Sequence, residues 1–224
     1  MGHEHFSKQY DAELKEIREK LLIMGGKVEL MIANAMKSLV ERDMELAERT
    51  IAFDHEINQL EVEIDENCLQ VLATRQPAAR DLRFITLALK IVTDLERIGD
   101  HCADIAGKAS ELNVEPPLKP YVDLPRMGRW ATVMIKEALH AFVRGDDELA
   151  LKVCKDVQFV HDLNEQIQRV LLTYMMEDHE IISRAMKINY ISKCFERIAD
   201  HATNVAEMVI FMVKGKDIRH MIAG

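Results

Sequence analysis

The chain has 224 residues, enough for one large domain or two small ones at roughly 100–200 residues each. Apolar residues make up 48% and charged residues 30%, which excludes a disordered tail; aromatics at only 5% favour helical interfaces over a β-sandwich. Lys plus Arg number 29 against 38 Asp plus Glu, a balance of −9 that argues against nucleic acid and against a basic patch for acidic lipids.

The first residues are charged and carry no apolar core, so no signal peptide is expected. Helix one is predicted over about Phe6–Glu41. Met24, Val28, Met31, Ala35 and Leu39 give it an apolar stripe. Gly25–Gly26 interrupts that stripe, as a kink or as a point of close contact. Helix two follows with Asp43 as N-cap and Glu45 in its first turn, running to about Ala73. Helix three is predicted from Gln76–Pro77, with the proline in the first turn, to about Leu112. Glu115–Pro125 then holds four of the five prolines and reads as a linker that no helix crosses. It separates a first unit, residues 6–114, from a second, residues 126–215.

The second unit repeats the first. Helices four and five break at Gly145–Asp146, with Asp146 as N-cap; five and six break at Glu177–Asp178, and six ends near Lys214. Asp43-Met-Glu-Leu-Ala47 matches Asp146-Asp-Glu-Leu-Ala150, and His55-Glu-Ile-Asn58 matches His161-Asp-Leu-Asn164. Leu95-Glu-Arg-Ile-Gly-Asp-His101 and Phe195-Glu-Arg-Ile-Ala-Asp-His201 share five of seven residues at an offset of 100. The fold class is therefore all-α, a tandem repeat of two three-helix bundles built from six long antiparallel helices. The longest apolar run, about Met208–Val213, falls far short of the roughly 20 residues of a membrane span, so a cytoplasmic protein is expected. The four cysteines form no CxxC pair and read as buried free thiols in a reducing compartment.

Ala88, Ile91, Leu95, Ile98, Cys102, Ile105, Ala109 and Leu112 form a coiled-coil-like seam on helix three, repeated on helix six from Ile188 to Met212. Beside it lie carboxylates one turn apart, Glu96 and Asp100, with Asp104 continuing the row; on helix six the row is Glu196, Asp200, Asn204 and Glu207. Like charges at i, i+4 cost about 0.2–0.5 kcal/mol on an isolated helix, so a repeated pair suggests a bound cation with oxygen ligands. Neighbouring helices or water would have to complete its shell. The competing reading is a solvated face neutralised by Arg97 and Arg197. His101 and His201 fall on the other flank and read as packing or capping residues. Glu137-Ala-Leu-His140 has no repeat partner and is not taken as a di-iron motif. Phosphate loops, zinc-protease motifs and nucleophile elbows are lacking, so the sequence shows no catalytic apparatus.

Arg75-Gln-Pro-Ala-Ala-Arg-Asp-Leu-Arg83 followed by the motif ending at His101 resembles the first repeat of the PhoU family of bacterial phosphate-signalling regulators. Leu172-Thr-Tyr-Met-Met-Glu-Asp178 and Phe195–Glu207 resemble the second, and Val213-Lys-Gly-Lys-Asp-Ile-Arg-His220 resembles the end of the last helix. The resemblance implies surface metal sites, with Glu96, Asp100, Glu196 and Asp200 as ligands; Asp104 and Glu207 are secondary candidates from their place in the two rows. The metal would be iron or zinc first, magnesium or manganese second. It also implies a cytoplasmic, non-enzymatic negative regulator of the phosphate-starvation response and of phosphate uptake. Such a protein works at the inner face of the membrane without inserting, as an adaptor between the phosphate ABC transporter's ATPase subunit and a sensor histidine kinase, and as a homodimer. Ala199 replaces the glycine of the first motif, and helix five lacks an acidic pair near Val157–Gln158, which makes the second site unlike the first. The competing functions are a metal-binding helical protein with an enzymatic or storage role, and a structural helical oligomer.

Overall fold

A computed structural model describes residues 2–118 and 121–215, with side chains from Lys8 onward. Lys119, Pro120 and the Lys216–His220 part of the resemblance lie outside the described residues. The helices are α1 (Gly2–Val40), α2 (Met44–Thr74), α3 (Ala79–Asn113), α4 (Asp123–Arg144), α5 (Asp147–Glu177) and α6 (Ile182–Lys214). A single 3-10 turn, His179–Ile181, leads into α6. Among the described residues there is no strand, and no helix is long and apolar enough to cross a membrane.

The predicted stripes are the core. From Ala88 to Leu112 every named seam residue of α3 is buried, and so are Ile188, Ile191, Phe195, Ile198, Ala202, Val205 and Val209 of α6. Burying each large aliphatic among them contributes about 1.5–3 kcal/mol. All four cysteines are buried and free. The N-caps also stand where the sequence puts them: Asp43 accepts from the Leu46 amide and Asp146 from the Leu149 amide, both at 2.9 Å.

Of the two readings of Gly25–Gly26, close contact is the one found: α1 runs through unbroken, and a methyl group at Gly25 would lie 2.1 Å from Leu139 Cδ1 of α4. Two local expectations change. Pro77 precedes α3 instead of opening it. Ala78, extended at φ −65° and ψ 161°, holds the cap position, while Arg75 ties the turn to α1 through Glu13 at 2.7 and 3.0 Å. α4 begins at Asp123, inside the proline-rich stretch, so Pro125 sits in its first turn, where no intrahelical amide donor is needed.

Within each repeat the helices run up, down, up. Lys20 reaches Glu63 and Lys27 reaches Glu56 across the antiparallel α1–α2 pair; Lys152 reaches Glu137 across α4–α5. The repeats meet through α1 on α4 and α3 on α6. Asp94 pairs with His201 while Tyr190 pairs with Asp104, so α3 and α6 cross antiparallel, as a pseudo-two-fold axis between them requires. α3 and α6 are thus the central helix of each bundle and the interface between bundles.

Candidate functional site

Glu96 and Asp100 face α2, and that helix completes an acidic cluster the sequence reading had left open. Gly99 lets α2 come close: a methyl at Gly99 would lie 3.1 Å from Asp54 Oδ1 and 3.2 Å from Ile57 Cγ2. Asp54, Glu61 and Asp65 of α2 join Glu96 and Asp100 of α3. Burial raises the pKa of Asp54, and the Asp100 charge adds to it. Glu61 is raised by burial and by Asp65; Asp65 is raised by burial alone. Glu96 is raised by burial and then by Asp100, with Glu61 and Asp54 contributing. Arg97 opposes this, at 3.5 Å from Glu96 and 3.2 Å from Asp100, but its side chain is more than half exposed, and with His55 beside Asp54 it faces five carboxylates.

Three oxygens in this cluster, Asp54 Oδ1, Asn58 Oδ1 and Asp65 Oδ1, are buried without a hydrogen-bond donor. Asn58 spends its amide on Asp54 Oδ2 at 3.1 Å, leaving its own carbonyl oxygen toward the acids. Buried acceptors without donors carry a desolvation cost that a cation removes. The donor set is oxygen only, which suits a hard cation such as magnesium, manganese or iron better than zinc. These residues fit a bound metal.

The second row is different. Asp43 and Asp146 cap helices of 31 residues each, and the buried Ile57, Ile64 and Cys68 correspond to Val160, Ile167 and Leu171 in the same register of 103. The match of His55–Asn58 with His161–Asn164 is therefore three residues out of structural register. Val157, His161, Asn164 and Gln168 stand where the first repeat has Asp54, Asn58, Glu61 and Asp65. Asn164 is buried and accepts from the Ser192 hydroxyl at 2.6 Å. Asp200 is held by His161 at 2.9 Å and Arg197 at 3.5 Å, and Glu196 pairs with Lys193. Glu196 and Asp200 stand one turn apart on α6, with Lys193, Arg197 and His161 as their partners. Asp156, one residue before the Val157–Gln158 position, pairs with Lys152 at 3.1 Å.

The secondary candidates leave their rows. Asp104 turns to α6 and accepts from the Tyr190 hydroxyl at 2.7 Å. Glu207 lies near Cys154 of α5, whose thiol is pushed up to about 12 by burial and then by that charge. Asp54, Glu61 and Asp65 were missed in the sequence, although Glu61-x-x-x-Asp65 repeats the spacing of Glu96-x-x-x-Asp100.

The pattern of the PhoU domain family matches this chain twice, over residues 21–109 and 124–209. A phosphate-specific transport system accessory protein PhoU homolog of Pseudomonas aeruginosa is 44% identical over 219 residues, covering 97% of this chain and 90% of the relative. The phosphate-specific transport system accessory protein PhoU of Escherichia coli K12 is 36% identical, covering 98% and 91%. The crystal structure of PhoU from Pseudomonas aeruginosa superposes with a TM-score of 0.89 at 43% identity, covering 92% of this chain and all of that one. That of the phosphate transport system regulatory protein PhoU from Streptococcus pneumoniae gives 0.87 at 29%, covering 93% and 98%.

Proposed function

This chain belongs to the PhoU family, and on that premise we propose that it is an accessory regulator of phosphate transport that works by binding other proteins, without catalysis of its own. The observation that carries this reading is the length of the likeness, which runs through both repeats to relatives named for that role. In the finer reading it is a cytoplasmic adaptor, a homodimer, at the inner face of the membrane. It joins the ATPase subunit of the phosphate transporter to a sensor histidine kinase and represses the starvation response when phosphate is plentiful.

Hard cations belong to this proposal on one face. Asp54, Glu61, Asp65, Glu96 and Asp100 would hold them, with the Asn58 carbonyl as a further donor; Asp54 and Asp65 are separated by about 16 Å of α2, so they would serve different ions. The cations would neutralise the α2–α3 face and so set the charge a partner meets there. The Glu196/Asp200 row would present a protein-neutralised face with no need of metal.

The test is a deletion strain carrying a phosphatase reporter, grown in high phosphate. Derepression, reversed by the wild-type gene, is the expected result; normal repression in the deletion overturns the regulatory reading. Affinity capture of the tagged chain from the same cells, with and without EDTA, tests the adaptor reading. It predicts recovery of the transporter ATPase or the kinase, with recovery lowered by EDTA and by Glu61→Gln with Glu96→Gln.

A further inference from the structure

We propose that His101, Asp104 and Cys194 form a second metal site, for a zinc-like divalent ion, that bridges the two repeats across the α3–α6 interface. One ligand atom from each of the three lies within 4.8 Å of the others. Around a tetrahedral zinc such atoms sit about 3.5 Å apart, so binding asks for a contraction of about 1 Å, within reach of small side-chain rotations. A thiolate, an imidazole and one carboxylate are a zinc donor set, unlike the oxygen-only cluster between α2 and α3.

The pseudo-symmetry of the molecule points independently to a missing ligand. On one side of the axis, His201 donates from Nδ1 to Asp94 Oδ1 at 2.7 Å, and Asn204 donates to the same oxygen at 3.1 Å. That polar group is closed by its own members. On the other side, at the register of 100, His101 stands for His201, Cys194 for Asp94 and Asp104 for Asn204. The histidine is kept, but the positions of Asp94 and Asn204 carry a thiol and a carboxylate, and His101 Nδ1 is left buried with no hydrogen-bond partner. A thiol is a weak acceptor and cannot replace the Asp94 carboxylate.

The surroundings suit a cation. Tyr190 donates to Asp104 Oδ2 at 2.7 Å, which orients the carboxylate and leaves Oδ1 free to ligate. Cys194 is buried and Asp104 is exposed, so the three residues run from the core to the surface and an ion would reach them from the Asp104 side. Cys194 is a thiol in the free protein, so a divalent ion that binds it displaces one proton to solvent and forms the metal–sulfur bond. Because Cys194 lies on α6 and the other two ligands on α3, a bound ion would fix the two repeats against each other.

The test uses the full chain, stripped with EDTA and then titrated with Co(II), whose thiolate charge-transfer band in the near ultraviolet reports a metal–sulfur bond. The expected result is a band that saturates at one cobalt per chain and is abolished by excess Zn(II). Cys194→Ser should remove it, Asp104→Asn should weaken cobalt binding at least tenfold, and Cys102→Ser, at the neighbouring buried thiol, should leave it intact. Glu61→Gln with Glu96→Gln should also leave it intact, which separates this site from the acidic cluster. Absence of the band in the wild-type chain overturns the proposal, as does its survival in Cys194→Ser. Asp104 is exposed, so its variant remains informative even if Cys194→Ser disturbs the core.

Discussion

His161 donates to Asp200 at 2.9 Å in the second repeat, at the position where the first repeat has Asn58 turned toward Asp54. On the proposed function, that exchange divides the two acidic rows into one that takes up cations and one already paired with Lys193, Arg197 and His161. The consequence is measurable as thermal stability. Manganese or magnesium at 100 times its dissociation constant adds about 2.7 kcal/mol to the folded state. For a chain of this size that raises Tm by about 5–10 °C. Glu61→Gln with Glu96→Gln should abolish the shift, and Glu196→Gln with Asp200→Asn should keep it. Equal loss in both variants, read by differential scanning calorimetry, would overturn the asymmetry.

The same cluster sets a pH dependence in the absence of metal. Asp54, Glu61, Asp65 and Glu96 all have folded pKa values raised above their unfolded values, chiefly by burial. Groups shifted this way stabilise the fold fully below the unfolded carboxylate range, near pH 4, and lose that contribution as pH rises through the folded values. In EDTA, Asp54→Asn with Glu96→Gln should therefore be more stable than wild type at pH 8. The advantage should shrink as the pH falls toward 4. Urea midpoints at four or five pH values check this, and a difference independent of pH would show that the carboxylates are relaxed by solvent.

The six helices and their order were legible because each bundle core is written in the chain's own period. Leu95, Ile98 and Cys102 could face only inward, and Asp43 and Asp146 could cap only forward. The acidic cluster was half legible. Glu61 and Asp65 have the same spacing as Glu96 and Asp100, but a carboxylate pair at i, i+4 also occurs on any solvated helix face. Which flank of α2 meets α3 depends on the packing that Gly99 permits, a contact between helices that neither period contains. The pairing of Cys194 with His101 was hidden for the same reason: the residues lie on different helices and meet only through the antiparallel α3–α6 crossing. His55 against His161 misled in the other direction, since a four-residue likeness outranked the register set by the caps.

Gly25 and Gly26 separate a packing role from a helix-propensity cost. Gly26 is exposed, with open space where a methyl would go, so Gly26→Ala should stabilise by about 1 kcal/mol through propensity alone. At Gly25 the same change drives a methyl into buried Leu139, and overpacking of that kind costs about 1–3 kcal/mol. The net expectation for Gly25→Ala is a loss of about 1 kcal/mol, and Leu139→Ala in the same chain should relieve the clash. Urea unfolding of the three variants checks the signs; stabilisation by Gly25→Ala would mean that α1 and α4 are not held at this distance in solution.

Asp94 carries the polar contact between the repeats. Its side chain is 12% exposed and takes two donors from α6, His201 Nδ1 and Asn204 Nδ2, on one oxygen. Asp94→Ala leaves both donors facing a largely dry interface, a loss of about 1–3 kcal/mol. Asp94→Asn keeps an acceptor oxygen in place and should cost less. His201→Ala removes the larger partner, so a double-mutant cycle with Asp94→Ala should return a coupling of about 0.5–3 kcal/mol, while Asp94→Ala with Arg169→Ala, exposed on α5, should be additive. A coupling near zero in the first cycle would mean that α3 and α6 are joined by their apolar seam alone, with Asp94 satisfied by water.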